Sequence, residues 1–261
     1  MAHPMTDRPA PVGARRAARP WPRWLRVVVL IGAVILVGAV VLAALRLLDR
    51  REFDSVTLGG PVDRIDVQLS SGEVRLVAAE GEDVAVQRSR AWRFRSPEID
   101  ATVDNGTARV RATCPRVAIP LGHCSADHRI EVPSGVRVDV RTDAGSVQVE
   151  GLDGWVRVVT TDGEVTASGL RSPEMIVDSS GGRVEVGFAV SPSRVDLDSG
   201  GGDIHLFLPP DRYEITTVAG GGDVAERVGS EAFAERMVDL RSNGGDIIVE
   251  PPPRVSRDTE D

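Results

Sequence analysis

One motif recurs along most of this chain: an alternating apolar run, broken by a small polar turn that ends in glycine. It reads IDVQLSSGEVRL from Ile65, VDVRTDAGSVQV from Val138, VRVVTTDGEVTA from Val156, MIVDSSGGRVEV from Met175, VDLDSGGGDIHL from Val195 and VDLRSNGGDIIV from Val238. ITTVAGGGDVAE, from Ile215, is a degenerate seventh copy. The aligned glycines are Gly72, Gly145, Gly163, Gly182, Gly202, Gly222 and Gly245, spaced 18, 19, 20 and 20 residues apart between Gly145 and Gly222. A steady period near 20 is the mark of stacked repeat units.

Within a unit the apolar residues fall on every second position, as in Val138, Val140, Val147 and Val149. That period of two sends one row into a core and Asp139, Arg141 and Gln148 to solvent, so the units are strands. A tight corner between such strands needs backbone at positive φ, which glycine adopts freely, while Ser, Thr, Asp and Asn beside it bond the local amides. The expected fold is all-β. Two architectures meet the pattern, a parallel β-solenoid with one unit per coil and an antiparallel meander. The steady period and the lack of NG-type two-residue hairpin turns favour the coil. The stretch from Arg88 to His128, with Gly106, Cys114 and Cys124, breaks the period and reads as an irregular elaboration. Ser230 to Arg236 reads as one short helical turn with Ser230 as its N-cap.

Ahead of the repeats, Val27 to Leu45 is nineteen residues without a charge, about 28 Å as a helix and close to the thickness of a bilayer core. Six arginines (Arg8, Arg15, Arg16, Arg19, Arg23, Arg26) precede it, while Arg46, Arg50 and Arg51 follow among Asp49 and Glu52. That bias keeps the N-terminus in the cytoplasm and places the β domain outside it. The alternative is a cleaved signal peptide, for which the stretch is long and the small residues at Ala43 and Ala44 form a poor cleavage site. The resulting domain plan is a disordered Arg-rich tail over 1–26, a transmembrane helix over 27–45, a β-repeat ectodomain over 52–250 and a polar, proline-led tail over 251–261.

An N-terminal membrane helix followed by repeats of V-x-V-x-[ST]-x-x-G-[DE]-[VI]-x-[VL] resembles the bacterial putative-adhesin family of β-strand-repeat domains of unknown function. The likeness covers roughly residues 55 to 250. It implies a right-handed, parallel, solenoid-like domain in the cell envelope, with relatives tied to envelope-stress sensing, and brings no catalytic residues with it.

Beyond residue 51 the chain carries 22 arginines against 37 acidic residues, which speaks against a nucleic-acid binder. The string from Leu197 to Asp203 superficially matches a serine-protease nucleophile turn, but it recurs at Val177 and is a repeat corner. With four histidines, one of them the cytoplasmic His3, and no lysine anywhere, neither an HExxH zinc site nor a Walker loop can be written. Cys114 and Cys124, ten residues apart, are expected to form a disulfide; a metal site with His123 and His128 is the alternative. Asp203, Asp223 and Asp246 follow the last three glycine turns and would stack about 4.8 Å apart, where calcium would relieve their repulsion; solvated turn aspartates are the plainer expectation. Arg88, Arg90, Arg93 and Arg95 interleave with Trp92 and Phe94, a basic face suited to lipid headgroups, wall polyanions or an acidic partner, unless the domain's own acids neutralise it. Strict alternation would place the four arginines on one side of a strand; a slip at Ala91 would mix them.

The functional expectation is a non-enzymatic, cofactor-free, single-pass envelope protein for adhesion, self-association or envelope interaction, with homo-oligomers formed through solenoid ends. The open last coil near Ile247 to Val249 could template another chain unless the proline tail blocks it. The alternatives are an envelope-stress sensor signalling through its cytoplasmic tail and, less favoured, a carbohydrate-active β-helix enzyme.

Overall fold

The computed structural model describes residues 23–47, 49–115 and 123–253. Most of the expected arginine-rich tail, with His3 and Trp21, lies outside the described residues, as does the chain after 253. Two units are resolved by their internal packing, one ending at Leu47 and one beginning at Leu48. In the first, the helix α1 spans Arg23–Leu47. Its Val27–Ala44 stretch buries none of its surface and is apolar all round, so by length and composition it meets the requirement of a membrane span or of a signal sequence.

The second unit is built of strands, nineteen among the described residues. The six strong repeats and the degenerate one each form a coil of two strands: β2 (Arg64–Ser71) with β3 (Val74–Ala78), β8 (Arg137–Ala144) with β9 (Val147–Glu150), β10 (Val156–Asp162) with β11 (Val165–Leu170), β12 (Glu174–Ser179) with β13 (Val184–Phe188), β14 (Arg194–Ser199) with β15 (Ile204–Phe207), β16 (Tyr213–Ala219) with β17 (Val224–Glu226), and β18 (Arg236–Ser242) with β19 (Ile247–Glu250). The first strand of every coil joins one sheet and the second joins the other, each pairing in parallel with its neighbours. The alternating rows therefore meet between the sheets: Val138, Val156, Met175, Val195 and Val238 from one side and Val147, Val165, Val184, Ile204 and Ile247 from the other are all fully buried. Neither sheet closes on itself.

The remaining strands make both sheets mixed. β1 (Arg50–Leu58) and β7 (His123–Val132) each pair antiparallel with β4 (Val84–Arg93), which lies between them. β5 (Glu98–Asp104) and β6 (Thr107–Thr113) form a hairpin whose turn, Asn105–Gly106, has both φ angles positive at 49° and 72°. This is the two-residue NG hairpin that the chain was expected to lack. The described residues of the segment expected to be irregular, 88–115 and 123–128, are therefore largely ordered sheet. Moreover, β6 pairs in parallel with β2, and β7 with β3, so together they act as an eighth coil whose corner carries the cysteines in place of a glycine turn.

Coil order in space departs from order in sequence at both ends. The coil β2–β3 lies between β6–β7 and β8–β9, and the coil β18–β19 lies between β14–β15 and β16–β17. Each coil nearest a chain end is thus flanked on both sides, which protects it from fraying. The segment from Ile247 to Val249 is accordingly no open edge, since β15 covers one side and β17 the other. The exposed end of the stack is the degenerate coil β16–β17. Its degeneracy has a reason: in register with the buried Leu240 and Val249 it places Thr217 and Glu226, polar residues at core positions, as a capping unit requires.

The corners explain the [ST]-x-x-G signature. Ser199 Oγ accepts the Gly202 N–H at 2.9 Å and donates to the Gly182 carbonyl of the preceding coil at 3.2 Å. Ser242 repeats the pattern with Gly245 and Gly202, at 2.8 and 3.1 Å. These serines are buried, so the hydroxyl ladder satisfies corner groups that water cannot reach. Of the seven corner glycines only Gly72 and Gly145 have positive φ. All seven are glycine because a neighbouring coil's backbone packs against their α-carbons.

Candidate functional site

At the β1–β4–β7 end, the inward row of β4 changes character. Val84 and Val86 are fully buried, and the same row continues through Arg88, Arg90 and Trp92 with no break in register. Arg93 falls on the other face, and Phe94, at φ 85°, ends the strand before Arg95. The four arginines consequently do not share one side. Opposite them in register, β1 presents Asp54 to Arg88 and Glu52 to Arg90, the arrangement that stabilises a sheet through cross-strand charge pairs. Arg88 meets Asp54 with two contacts, Nε–Oδ1 at 3.0 Å and Nη2–Oδ2 at 2.6 Å. Arg90 meets Glu52 at 3.2 Å, and Arg93 grips Asp49 with two contacts of 2.7 and 2.9 Å. That bidentate hydrogen bond holds the Asp49 carboxyl below its ordinary pKa. Arg95, exposed beyond the strand end, has no ion pair among the described residues.

His128 stands directly across from Arg88 on β7 and is 2% exposed. It occupies the core row that Val74 and Val147 fill in the next coils. Its Nδ1 lies 3.1 Å from the Ala126 carbonyl, which sets the proton on that nitrogen and leaves Nε2 buried with no partner. Burial pushes the imidazole pKa down, and the Arg88 charge pushes the same way against the Ala126 carbonyl. The unfolded chain binds the proton near the ordinary value of about 6.5, whereas the folded chain refuses it until lower pH. Stability contributed by neutral His128 is therefore full above about 6.5 and is lost as pH falls through the lowered folded value. Chemical denaturation at pH 7 and pH 5 is expected to show wild type losing up to about 1.4 kcal/mol per pH unit more than His128→Leu; equal slopes would remove His128 from the acid response.

On the outer face of the same strands lies an open groove of about 660 Å³, lined among others by Phe53, Gln87, Arg129, Arg75 and Asp127. Arg75 is drawn to Glu150 at 2.6 Å, and Asp127 accepts the Glu73 N–H at 3.0 Å and the Ser125 hydroxyl at 2.9 Å.

The aspartates form a ladder in the order Asp203, Asp246, Asp223, following the coils in space. Asp203 accepts the Asp246 N–H at 3.1 Å, Asp246 accepts the Asp223 N–H at 2.8 Å, and Arg183 pairs with Asp203 at 3.1 Å. Each inner carboxylate thus faces a backbone donor of the next coil. Among the described residues no group of three His, Cys, Asp or Glu stands together as a metal cage. Cys114 and Cys124 are joined, with Cα atoms 5.8 Å apart, and Cys114 N–H donates to Ser70 Oγ at 2.8 Å. Calorimetry is expected to show no midpoint change with millimolar calcium and a fall of about 5 to 10 °C under reductant, from a loop constraint of roughly 2 to 3 kcal/mol. A midpoint that rises with calcium would make the ladder a metal site.

The protease-like string is the repeat corner it was expected to be, and one further expectation, the Ser230 cap, is displaced. Ser199, in the protease-like string, commits its hydroxyl to the corner ladder, and His205 pairs with Glu250 at 2.9 Å. Ser230 caps no helix: it bridges to Tyr213, and its Oγ accepts the Ile215 N–H at 3.1 Å.

No family model matches the chain, and no curated protein matches it. Solved structures do. A putative cell adhesion protein from Clostridium sporogenes is 12% identical with a TM-score of 0.45, covering 78% of this chain and 99% of its own. A putative adhesin from Bacteroides fragilis is 12% identical with a TM-score of 0.46, covering 77% and 97%. A putative lipid binding protein from Parabacteroides distasonis is 10% identical with a TM-score of 0.25, covering 76% and 97%.

Proposed function

We infer that this chain is a non-enzymatic, single-pass membrane protein, N-terminus in the cytoplasm, that holds a right-handed, solenoid-like β domain outside the cell membrane for adhesion, self-association or contact with envelope components. The carrying observation is α1: a helix apolar around its whole circumference finds no protein surface to cover it, and lipid is the solvent that suits it. At 25 residues it is about 37 Å long, enough to cross with some tilt. The arginines before it and the acids soon after set the orientation. Right-handedness is supported by the near-universal hand of parallel strand crossovers. Stacked coils with laddered corners give the domain the stiffness such a role needs.

The test is protease treatment of intact spheroplasts and of inverted membrane vesicles carrying the full chain, after alkaline extraction. The chain is expected to stay with the membrane and to lose its β domain only in spheroplasts. Release by alkali, or cleavage of the β domain only in inverted vesicles, would overturn the reading.

A further inference from the structure

The end coil β16–β17 combines features that the fold itself does not use. The chain leaves it through the loop from Arg227 to Glu235, which crosses back over the start of β16: Ser230 bridges to Tyr213, and the Glu231 N–H donates to the Tyr213 carbonyl at 2.8 Å. The outer edge is thereby covered at Tyr213 to Ile215 only. From Thr216 to Ala219 it has no partner strand among the described residues, and it carries none of the usual blocks, neither proline nor bulge nor a charged side chain. Val218 and Val224 on this coil are 53% and 45% exposed.

At the crest of the loop stands Phe233. It is 94% exposed and sits at φ 66°, a left-handed backbone that bulky residues rarely adopt. An exposed phenyl and a strained backbone both cost stability, and at 94% exposure the ring recovers little of it by burial, which is the pattern of a side chain held ready for a partner. Beside it lies a hollow of about 410 Å³, lined by Asp211, Arg212, Glu231, Ala234 and Arg236 together with Phe233 itself.

We propose that this end coil is a homophilic contact surface, in which the Phe233 ring of each copy enters the hollow beside Phe233 of a second copy of this chain. Two observations select a second copy as occupant. Knob and hollow adjoin on one patch, which is the self-complementarity that a two-fold contact demands. The charges lining the hollow come within one of balance, Asp211, Glu231 and Glu235 against Arg212 and Arg236, whereas the ectodomain as a whole carries a large excess of acids that repels another copy elsewhere. In each sheet the β16–β17 end is opposite the edge that holds β1 or β5. Paired end to end, two copies therefore place their β1 strands farthest apart. The proposal rests on the membrane-anchored reading and deepens it: copies joined this way bridge two apposed membranes.

Full-length protein reconstituted into phosphatidylcholine vesicles tests it, with vesicle clustering read by light scattering and insertion checked by flotation. Wild type is expected to cluster vesicles; Phe233→Asp, at a fully exposed position, and Val218→Arg are expected to slow clustering at least tenfold with unchanged thermal midpoints. Clustering unaffected by both variants, or no clustering by inserted wild-type protein, overturns the proposal. If the chain does not float with the vesicles, the anchoring reading fails instead. Sedimentation equilibrium of the detergent-solubilised full chain then decides the contact: a wild-type dimer that Phe233→Asp dissociates supports it, and a wild-type monomer overturns it.

Discussion

Gly182→Ala is expected to be among the most damaging single substitutions in the domain, costing more than about 4 kcal/mol and lowering the thermal midpoint by roughly 10 °C or more. A Cβ built on Gly182 falls 1.9 Å from the carbonyl oxygen of Gly163. That neighbour is backbone, held by parallel pairing on both sides, and cannot swing aside as a side chain would. The coils would have to separate at the corner and stretch the Ser179 and Ser199 hydroxyl bonds to Gly182. The adjacent Gly181 has open space where a Cβ would stand, so Gly181→Ala should stay within about 0.5 kcal/mol of wild type. Thermal unfolding of the pair separates the two sources of a glycine requirement, conformational freedom and close approach. Equal midpoints would contradict the packed ladder.

The second large effect concerns coil order. Removing β18–β19, by ending the chain at Glu235, is expected to abolish cooperative folding, a loss of at least about 5 kcal/mol. These two strands lie inside the stack, and without them the rows Val195–Leu197 and Ile204–Leu206 lose their cover while β16 and β17 lose the strands they pair with. Deleting 211–233 instead removes the end coil and leaves five residues between β15 and β18, the number that already joins β13 to β14. That shorter chain should fold, with a sharp melting transition and a β spectrum. A stack in simple sequence order predicts the reverse ranking, with the C-terminal truncation the milder of the two.

Much of this was legible in the sequence because the determining signal is local. Seven of the strand pairs begin where Ile65, Val138, Val156, Met175, Val195, Ile215 and Val238 open their alternating runs, and the period of two needs no tertiary information to be read. What failed was what depends on neighbours. The turn chemistry predicts positive φ at the corner glycines, yet only two of the seven have it and all seven answer to the backbone of an adjacent coil, which no single repeat reveals. The coil of β6 and β7 went unseen because alanines at Ala108 and Ala112 and His128 weaken its apolar rows, and a disulfide-closed loop replaces its glycine turn. Order in the stack is invisible to the motif, since every coil offers the same parallel edge to any other. One trace was present: Thr217 and Glu226 sit where the other repeats place apolar residues, which marks that unit as an end.

At the basic-aromatic segment, composition showed both the arginines and the acids that meet them, but not the register that pairs Arg88 with Asp54 and Arg90 with Glu52. That pairing decides which charges are free. It leaves Arg95, outside the strand, as the arginine of this segment without an ion pair among the described residues, while at the other end of the domain Phe233 carries no such sign in composition.

Because the location of that end coil underlies both the capping argument and the proposed contact, its position is the feature to measure first. Two double-cysteine variants of the full chain suffice, Asp198→Cys with Arg241→Cys and Asp198→Cys with Val218→Cys, oxidised mildly and mapped by mass spectrometry of unreduced peptides. Asp198 and Arg241 are direct partners across β14 and β18, whereas β18 separates Asp198 from Val218. The first pair is expected to close and the second to stay open; closure of the second pair with the first open would place β16 against β14 and contradict the account.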